Sequence, residues 1–190
     1  MQGYPSRGSF LFKPFYMNMP RILFFFFCVL VGFACSPPKK APTPKNYTPK
    51  TRSYRSSAEA TFRQKIVDYG QQFVGTNYKY AGRSPKTGFD CSGFTSYVLN
   101  EFGVLVSPAS SIQATEGRHV PIDEVYPGDL IFFGESRKAI SHVALVVSNN
   151  DKGIICVHST TSRGVIVENV STSSYWKPKI LFARDVISED

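Results

Sequence analysis

The chain has 190 residues, a net charge of +8 and a pI near 9.4, a length that suits one domain with accessory segments. The positive charge is concentrated near the N-terminus, because all 14 acidic residues lie from Glu59 onward, together with 13 Lys and Arg residues. The part of the chain that is predicted to fold is therefore almost neutral, which argues against a nucleic-acid-binding surface and against nucleic acid as a partner.

A signal peptide is predicted over residues 1–34. Basic residues come first, and residues 22–34 form an apolar run that is shorter than the roughly 20 residues a transmembrane helix needs. Ala34 followed by Cys35 resembles a bacterial lipoprotein processing box. We therefore expect Cys35 to be lipidated and the protein to be exported and membrane-anchored. The outer membrane is favoured because Ser36, and not an aspartate, follows Cys35.

Residues 35–57 are predicted to comprise the lipidated Cys35 and a disordered tether that leads to the folded domain. The segment is rich in Pro, Lys and Arg, and it contains no acidic residue and little to bury. Because Pro-rich linkers extend by about 3 Å per residue, it could hold a domain tens of ångströms from a membrane.

A single folded domain is predicted over residues 58–190, with its helices before its strands. The first helix is predicted over residues 58–74, the second begins at Cys91, and a short third covers residues 110–117. Strands are predicted over residues 129–133, 141–147, 153–158, 164–170 and 179–184. This order predicts an α+β fold in which N-terminal helices pack on a C-terminal antiparallel β-sheet. Asp129 follows a Pro-Gly turn and is predicted to be structural.

Cys91 is the strongest candidate for a catalytic residue. It lies in the first turn of an amphipathic helix, where unpaired backbone N–H groups and the helix dipole favour the thiolate over the thiol. Thiolate is the nucleophilic form, so this placement favours catalysis. The alternative is a buried structural cysteine, because free Cys is among the most buried residue types.

Two of the three histidines lie on neighbouring predicted strands, His142 at the start of one and His158 at the end of the next. A nucleophilic cysteine needs a base and a third group that holds the base, and these two residues would supply both. No close-spaced pair of metal ligands is present, so we predict no metal and no cofactor. Cys156 could form a disulfide with Cys91, but we expect a reduced core residue on the same strand face as His158.

Four motifs occur in the order found in the NlpC family of bacterial cell-wall cysteine peptidases. They are Asp-Cys-Ser-Gly-Phe at 90–94, Pro-Gly-Asp-Leu at 127–130, Ser-His-Val at 141–143 and His-Ser at 158–159. Upstream, residues 75–82 resemble the Gly-x-x-Tyr-x-Tyr-Gly-Gly segment of that family, with Ala81 where a glycine is usual. The resemblance covers residues 60–185.

The resemblance implies a papain-like fold and cleavage of a peptidoglycan stem peptide between D-glutamate and the diamino acid, usually diaminopimelate. It implies a catalytic triad of Cys91, His142 and His158. It also implies that Tyr80, Asp90 and Ser92 bind the substrate. Asp90 could instead cap the helix, and Tyr80 could belong to the core. We expect a monomer whose partners are stem peptides and, through the lipid, a membrane.

Two other classes of function stay open on the sequence alone. The same Cys-His layout could serve a thiol-dependent amidase or acyltransferase that acts on another bond. A degenerate site would instead give a non-catalytic wall-binding lipoprotein, but the intact cysteine motif and both histidines argue against it.

Overall fold

The computed structural model describes Tyr54 and residues 56–188 of the chain. The predicted signal peptide, Cys35 and nearly all of the predicted tether lie outside these residues. None of the described helices is long and apolar enough to cross a membrane.

The helices come first, as predicted: α1 spans Ser57–Gln71, α2 spans Cys91–Glu101 and α3 spans Ser110–Gln113. Ser56 caps α1, and its side chain accepts a hydrogen bond from the Glu59 N–H at 3.1 Å. The first helix is three residues shorter than predicted at its C-terminal end, because the backbone there tightens into i→i−3 hydrogen bonds up to Val74. A small antiparallel pair, β1 (Arg83–Ser84) and β2 (Gly88–Phe89), lies between α1 and α2 and was not predicted.

A six-stranded antiparallel sheet follows, in the order β3-β8-β4-β5-β6-β7. Its strands are β3 (Arg118–Val120), β4 (Leu130–Ser136), β5 (Ala139–Asn150), β6 (Gly153–Thr160), β7 (Gly164–Asn169) and β8 (Ile180–Asp185). All five predicted strands are present, and the edge strand β3 was missed. Short 3₁₀ helices, Ile122–Glu124 and Lys177–Lys179, connect β3 to β4 and lead into β8.

The sheet is buried on both faces, and alternate residues of β4 and β5 supply two separate cores. The helix-facing core contains Phe94, Val98 and Leu99 of α2 together with the strand residues Leu130, Phe132, Val143 and Leu145. The opposite core contains Ile131, Phe133, Ala144, Val146, Cys156 and Trp176. Cys156 is a fully buried free thiol. Helices packed on one face of an antiparallel sheet confirm the predicted α+β class.

A buried ion-pair network joins α1 to the sheet through Arg63, whose side chain is fully buried. Its guanidinium donates to Asp129 at 2.9 Å, to Asp185 at 2.6 Å and to Glu59 at 2.9 Å. Burial raises the pKa of Asp185, but the charge of Arg63 and hydrogen bonds from Ser188 outweigh it, and the pKa lies below its usual range. Asp129 therefore has a structural role, as predicted from its position after the Pro-Gly turn.

Candidate active site

Cys91 is the first residue of α2, and the segment before it determines how the helix begins. The Asp90 side chain caps the helix by accepting the Gly93 N–H at 2.6 Å. A Cβ on Gly93 would collide with the Gly82 carbonyl, so glycine at 93 allows the β1–β2 region to pack closely against the helix start. The Asp-Cys-Ser-Gly motif thus encodes a capped helix with the cysteine at its tip.

The Cys91 thiol does not have the lowered pKa that its helix position predicts. Burial raises the pKa of Cys91, and the neighbouring Asp90 carboxylate raises it further. Backbone N–H groups of Val143, Ser92 and Cys91 itself lower it, but not enough to offset burial. The prediction of a resting thiolate is therefore wrong, because desolvation and the capping carboxylate outweigh the helix start. The thiol lies close to β5 next to His142, since Val143 is one of those N–H donors.

His142 on β5 and His158 on β6 are in direct contact. Nε2 of His142 lies 2.8 Å from Nδ1 of His158, and both side chains are buried. Burial lowers the pKa of His142 well below its usual value, and His158 lowers it further. Burial also lowers the pKa of His158, although Glu168 opposes that shift. Both rings are therefore neutral near pH 7, and the contact with His158 leaves Nδ1 of His142 available for another partner.

Two residues that the sequence analysis did not single out complete this cluster, Glu168 on β7 and Trp176. Oε1 of Glu168 lies 2.9 Å from Nε2 of His158 and accepts the indole N–H of Trp176 at 2.9 Å. The indole stacks on the His142 ring, with ring centroids 4.5 Å apart. Strand pairing places Glu168 opposite Cys156, and so on the face of His158. A lone acidic residue in an apolar strand was the available signal for Glu168; Trp176 offered none.

Cys91 and His142 both line a cavity of about 820 Å³. Tyr78 and Trp176 form part of its wall, and charged groups surround it: Glu135, Arg163, Glu168 and Lys179. A nucleophile and a neutral base that open onto one cavity can carry out acyl transfer on a bound amide. Among the described residues, no group of three or more His, Cys, Asp or Glu side chains is arranged to hold a metal ion.

Residues 75–185 match the sequence model of the NlpC/P60 family, which covers more than half of the chain. The chain belongs to the NlpC/P60 family. Its fold is similar to that of an NlpC/P60 family protein from Bacillus cereus, with a TM-score of 0.61 and 27% identity over 66% of this chain and 40% of that one. The predicted family and papain-like fold class are confirmed.

Two relatives differ in how much of their length is shared. Gamma-DL-glutamyl hydrolase of Bacillus subtilis is 35% identical over 136 residues, which are 70% of this chain but only 32% of that protein. Murein DD-endopeptidase MepS/Murein LD-carboxypeptidase of Escherichia coli is 32% identical over 162 residues, 77% of this chain and 82% of that protein. The chain therefore spans about a third of the first relative and most of the second.

The tyrosine that faces the NlpC/P60 cavity is not the one predicted from the motif. Tyr80 is 85% exposed and is not among the residues that line the cavity, whereas Tyr78 is. The chain turns at Ala81, which has a positive φ of 55°, so the extended alternation of side chains ends there. Tyr78 is held by a β-bridge to Phe89, and burial, together with the nearby Cys91 and Asp90, raises its pKa. The structure thus brings Tyr78, and not Tyr80, to the wall of the cavity, and substrate binding by Tyr80 stays a prediction.

Asp90 and Ser92, the other two predicted substrate-binding residues, are engaged in the structure of the helix start. Ser92 is 6% exposed, and its hydroxyl lies 3.1 Å from Asp90 Oδ1 and 3.0 Å from the Pro108 carbonyl oxygen. Neither side chain is among those lining the cavity. The alternative noted from the sequence, that Asp90 caps the helix, describes the structure.

Proposed function

We propose that the protein is a cell-wall cysteine endopeptidase that hydrolyses the D-glutamyl–diaminopimelate amide bond of peptidoglycan stem peptides. The observation that carries this proposal is the placement of Cys91 and His142 on one cavity, with His158 2.8 Å behind the base. The relatives named for hydrolysis of gamma-DL-glutamyl bonds and of murein support the substrate class.

The geometry supports a mechanism in which the thiol keeps its proton until it attacks. As Sγ of Cys91 bonds to the amide carbonyl carbon, the thiol proton passes to Nδ1 of His142. The carbonyl oxygen becomes negative, and the backbone N–H of Cys91, at the start of α2, is the candidate donor that stabilises it. Collapse of this intermediate breaks the C–N bond, and His142 returns the proton to the leaving amine. Water then cleaves the thioester, with His142 again taking the proton.

Mass spectrometry of purified peptidoglycan fragments, incubated with the mature protein, tests this proposal. We expect cleavage by the wild type, none by Cys91→Ala or His142→Ala, and measurable activity in His158→Ala that Gln or Asn at 158 partly restores. The matched control is Cys156→Ala, which removes the other thiol of the described residues and should retain cleavage. Wild-type turnover by Cys91→Ala would disprove the thiol mechanism, provided that circular dichroism shows every variant to be folded.

The same spectra decide which bond is cut. A D-glutamyl–diaminopimelate endopeptidase releases the dipeptide end of the stem, whereas a DD-endopeptidase separates crosslinked stems and a carboxypeptidase removes one residue. The names of the two relatives span these outcomes. An amidase or acyltransferase would give a different fragment mass, and a non-catalytic wall-binding protein would give none.

We also propose that the protein is exported and anchored to a membrane through lipid on Cys35, and that this membrane is the outer one. The support is the sequence alone: a basic start, an apolar run of 13 residues and Ala34 directly before Cys35. The tether would then let the peptidase domain reach the wall.

A further inference from the structure

We propose that Glu168 is a positioning residue that fixes the tautomers of both site histidines, so that Nδ1 of His142 is left free to accept the Cys91 proton. This inference deepens the proposed function and rests on it. Glu168 makes no step of the reaction itself; it acts through His158 and then through His142.

Glu168 is held so that one oxygen points at His158. Its Oε1 lies 2.9 Å from His158 Nε2, accepts the Trp176 indole N–H at 2.9 Å, and both carboxylate oxygens accept from Arg163 at 2.9 and 3.0 Å. Burial raises the pKa of Glu168, but hydrogen bonds from Arg163, Trp176 and His158 outweigh it and lower the pKa below its usual value. Glu168 is therefore a carboxylate near pH 7, and a carboxylate can only accept hydrogen bonds.

This fixed acceptor determines where each histidine carries its proton. The contact with Glu168 requires a proton on Nε2 of His158. Because a neutral imidazole has one N–H, Nδ1 of His158 then has only a lone pair. The 2.8 Å contact between the rings therefore requires a proton on Nε2 of His142. His142 is also neutral, so its Nδ1 has the lone pair that a thiol proton needs.

Without the carboxylate, the pair of rings has no reason to prefer this arrangement. A proton on Nδ1 of His158 would donate equally well to Nε2 of His142, which would then carry its own proton on Nδ1. The base would be blocked on the side that must serve Cys91. Hydrogen bonding to Glu168 selects the first of these two arrangements. Trp176 helps to hold the geometry, because it donates to Glu168 and stacks on the His142 ring.

The experiment measures histidine tautomers directly, by ¹⁵N NMR of the ring nitrogens in the purified protein at pH 7.5. In the wild type, His142 and His158 should both have Nε2 protonated and Nδ1 unprotonated. In Glu168→Leu, both rings should shift toward the Nδ1-protonated tautomer. The kcat/KM for stem-peptide cleavage should fall by about 10-fold or more, with the loss in kcat, because a base in the wrong tautomer cannot take the proton.

Glu168→Gln is the conservative rescue. The Trp176 indole N–H needs an acceptor at the Oε1 position, which orients the amide oxygen toward His158 as well. Tautomers and most of the activity should therefore be kept. Arg163→Met is the control for the tautomer reading. Trp176 and His158 still bond to Oε1 of Glu168 when Arg163 is lost, so Glu168 should stay a carboxylate at pH 7.5 and both tautomers should be unchanged.

Three results overturn the inference: a wild-type ring protonated on Nδ1, unchanged tautomers in Glu168→Leu, or a Gln variant as impaired as the Leu variant. The wild-type spectrum decides the matter even if Glu168→Leu does not fold. If the wild type cleaves no stem peptide, the proposed function fails, while the tautomer spectra still test the role of Glu168.

Discussion

Replacing Arg63 with Met should destabilise the protein strongly while leaving the size of the side chain nearly unchanged. The side chains of Arg63, Asp129 and Asp185 are all fully buried. Removing one partner of a buried ion pair costs about 3–5 kcal/mol, because the remaining charge loses its compensation in a poorly solvated site. Here two buried carboxylates lose the same guanidinium, so we expect a value at the upper end of that range.

Arg118→Met is the matched control. Arg118 donates to the same Asp185 carboxylate at 3.1 Å, but its side chain is 46% exposed. Solvent-exposed ion pairs contribute about 0–1 kcal/mol, so this variant should be nearly as stable as the wild type. Both substitutions remove a positive charge from Asp185, but Arg63 is buried and also binds Asp129 and Glu59, whereas Arg118 is partly exposed.

Urea unfolding, followed by the fluorescence of the single tryptophan, measures both variants. The midpoint should fall sharply for Arg63→Met at an unchanged m-value. Because the pKa of Asp185 is lowered in the folded state, the stability it contributes is present above about pH 3.9 and is lost as the pH falls below that value. The difference between wild type and Arg63→Met should therefore shrink at pH 3. If Arg63→Met costs no more than Arg118→Met, burial is not what makes this network important.

Three further predictions concern the thiol, the histidines and the anchor. The rate at which iodoacetamide alkylates Cys91 should rise with pH, with a midpoint above the free-thiol pKa of about 8.5. A rate already maximal at pH 7 would show that the resting group is a thiolate and contradict this prediction. Because His142 and His158 have lowered pKa values when folded, the unfolded chain binds more protons below about pH 6.5, and the free energy of unfolding should decline as the pH falls from there. His158→Asn should flatten this decline, and an identical slope in that variant would count against it. Cys35→Ala should release the protein from membranes or leave an unprocessed precursor, whereas a mature protein without fatty acid would rule out the anchor.

Much of the fold was predictable because its elements have strong local signals. The amphipathic pattern of α2 and the Val- and Ile-rich strands can each be recognised in the sequence over five or more residues. The missed elements are short and depend on partners: β3 has three residues, of which only Val120 is buried, and it is a strand because β8 pairs with it. The two-residue strands β1 and β2 likewise exist through their pairing with each other.

The candidate catalytic side chains could be predicted from the sequence, but most of the residues that surround them could not. Cys91, His142 and His158 stand out by residue type and position. The sequence did not show that Tyr80 is exposed, because residues 80 and 81 form a turn in which Ala81 has a left-handed conformation despite its Cβ. Glu168 required the β6–β7 register, which only the folded hairpin supplies. Motif reasoning thus predicted the candidate nucleophile, its base and the histidine that holds the base, and it missed Glu168 and Trp176, which contact those histidines.

The protonation state of Cys91 depends on features that the sequence shows and on features that only the fold shows. Its helix position alone favours a thiolate, yet burial and the Asp90 carboxylate that caps the same helix favour the thiol. A site whose nucleophile still holds its proton must remove that proton during the attack, so its rate depends on a base that is neutral and has its lone pair on the correct nitrogen. Neutrality follows from the burial of His142. The position of the lone pair follows from a hydrogen-bond chain that runs from His142 through His158 to Glu168. Under the proposed mechanism, the burial that keeps Cys91 protonated is therefore what makes a neutral His142 with a free Nδ1 lone pair necessary.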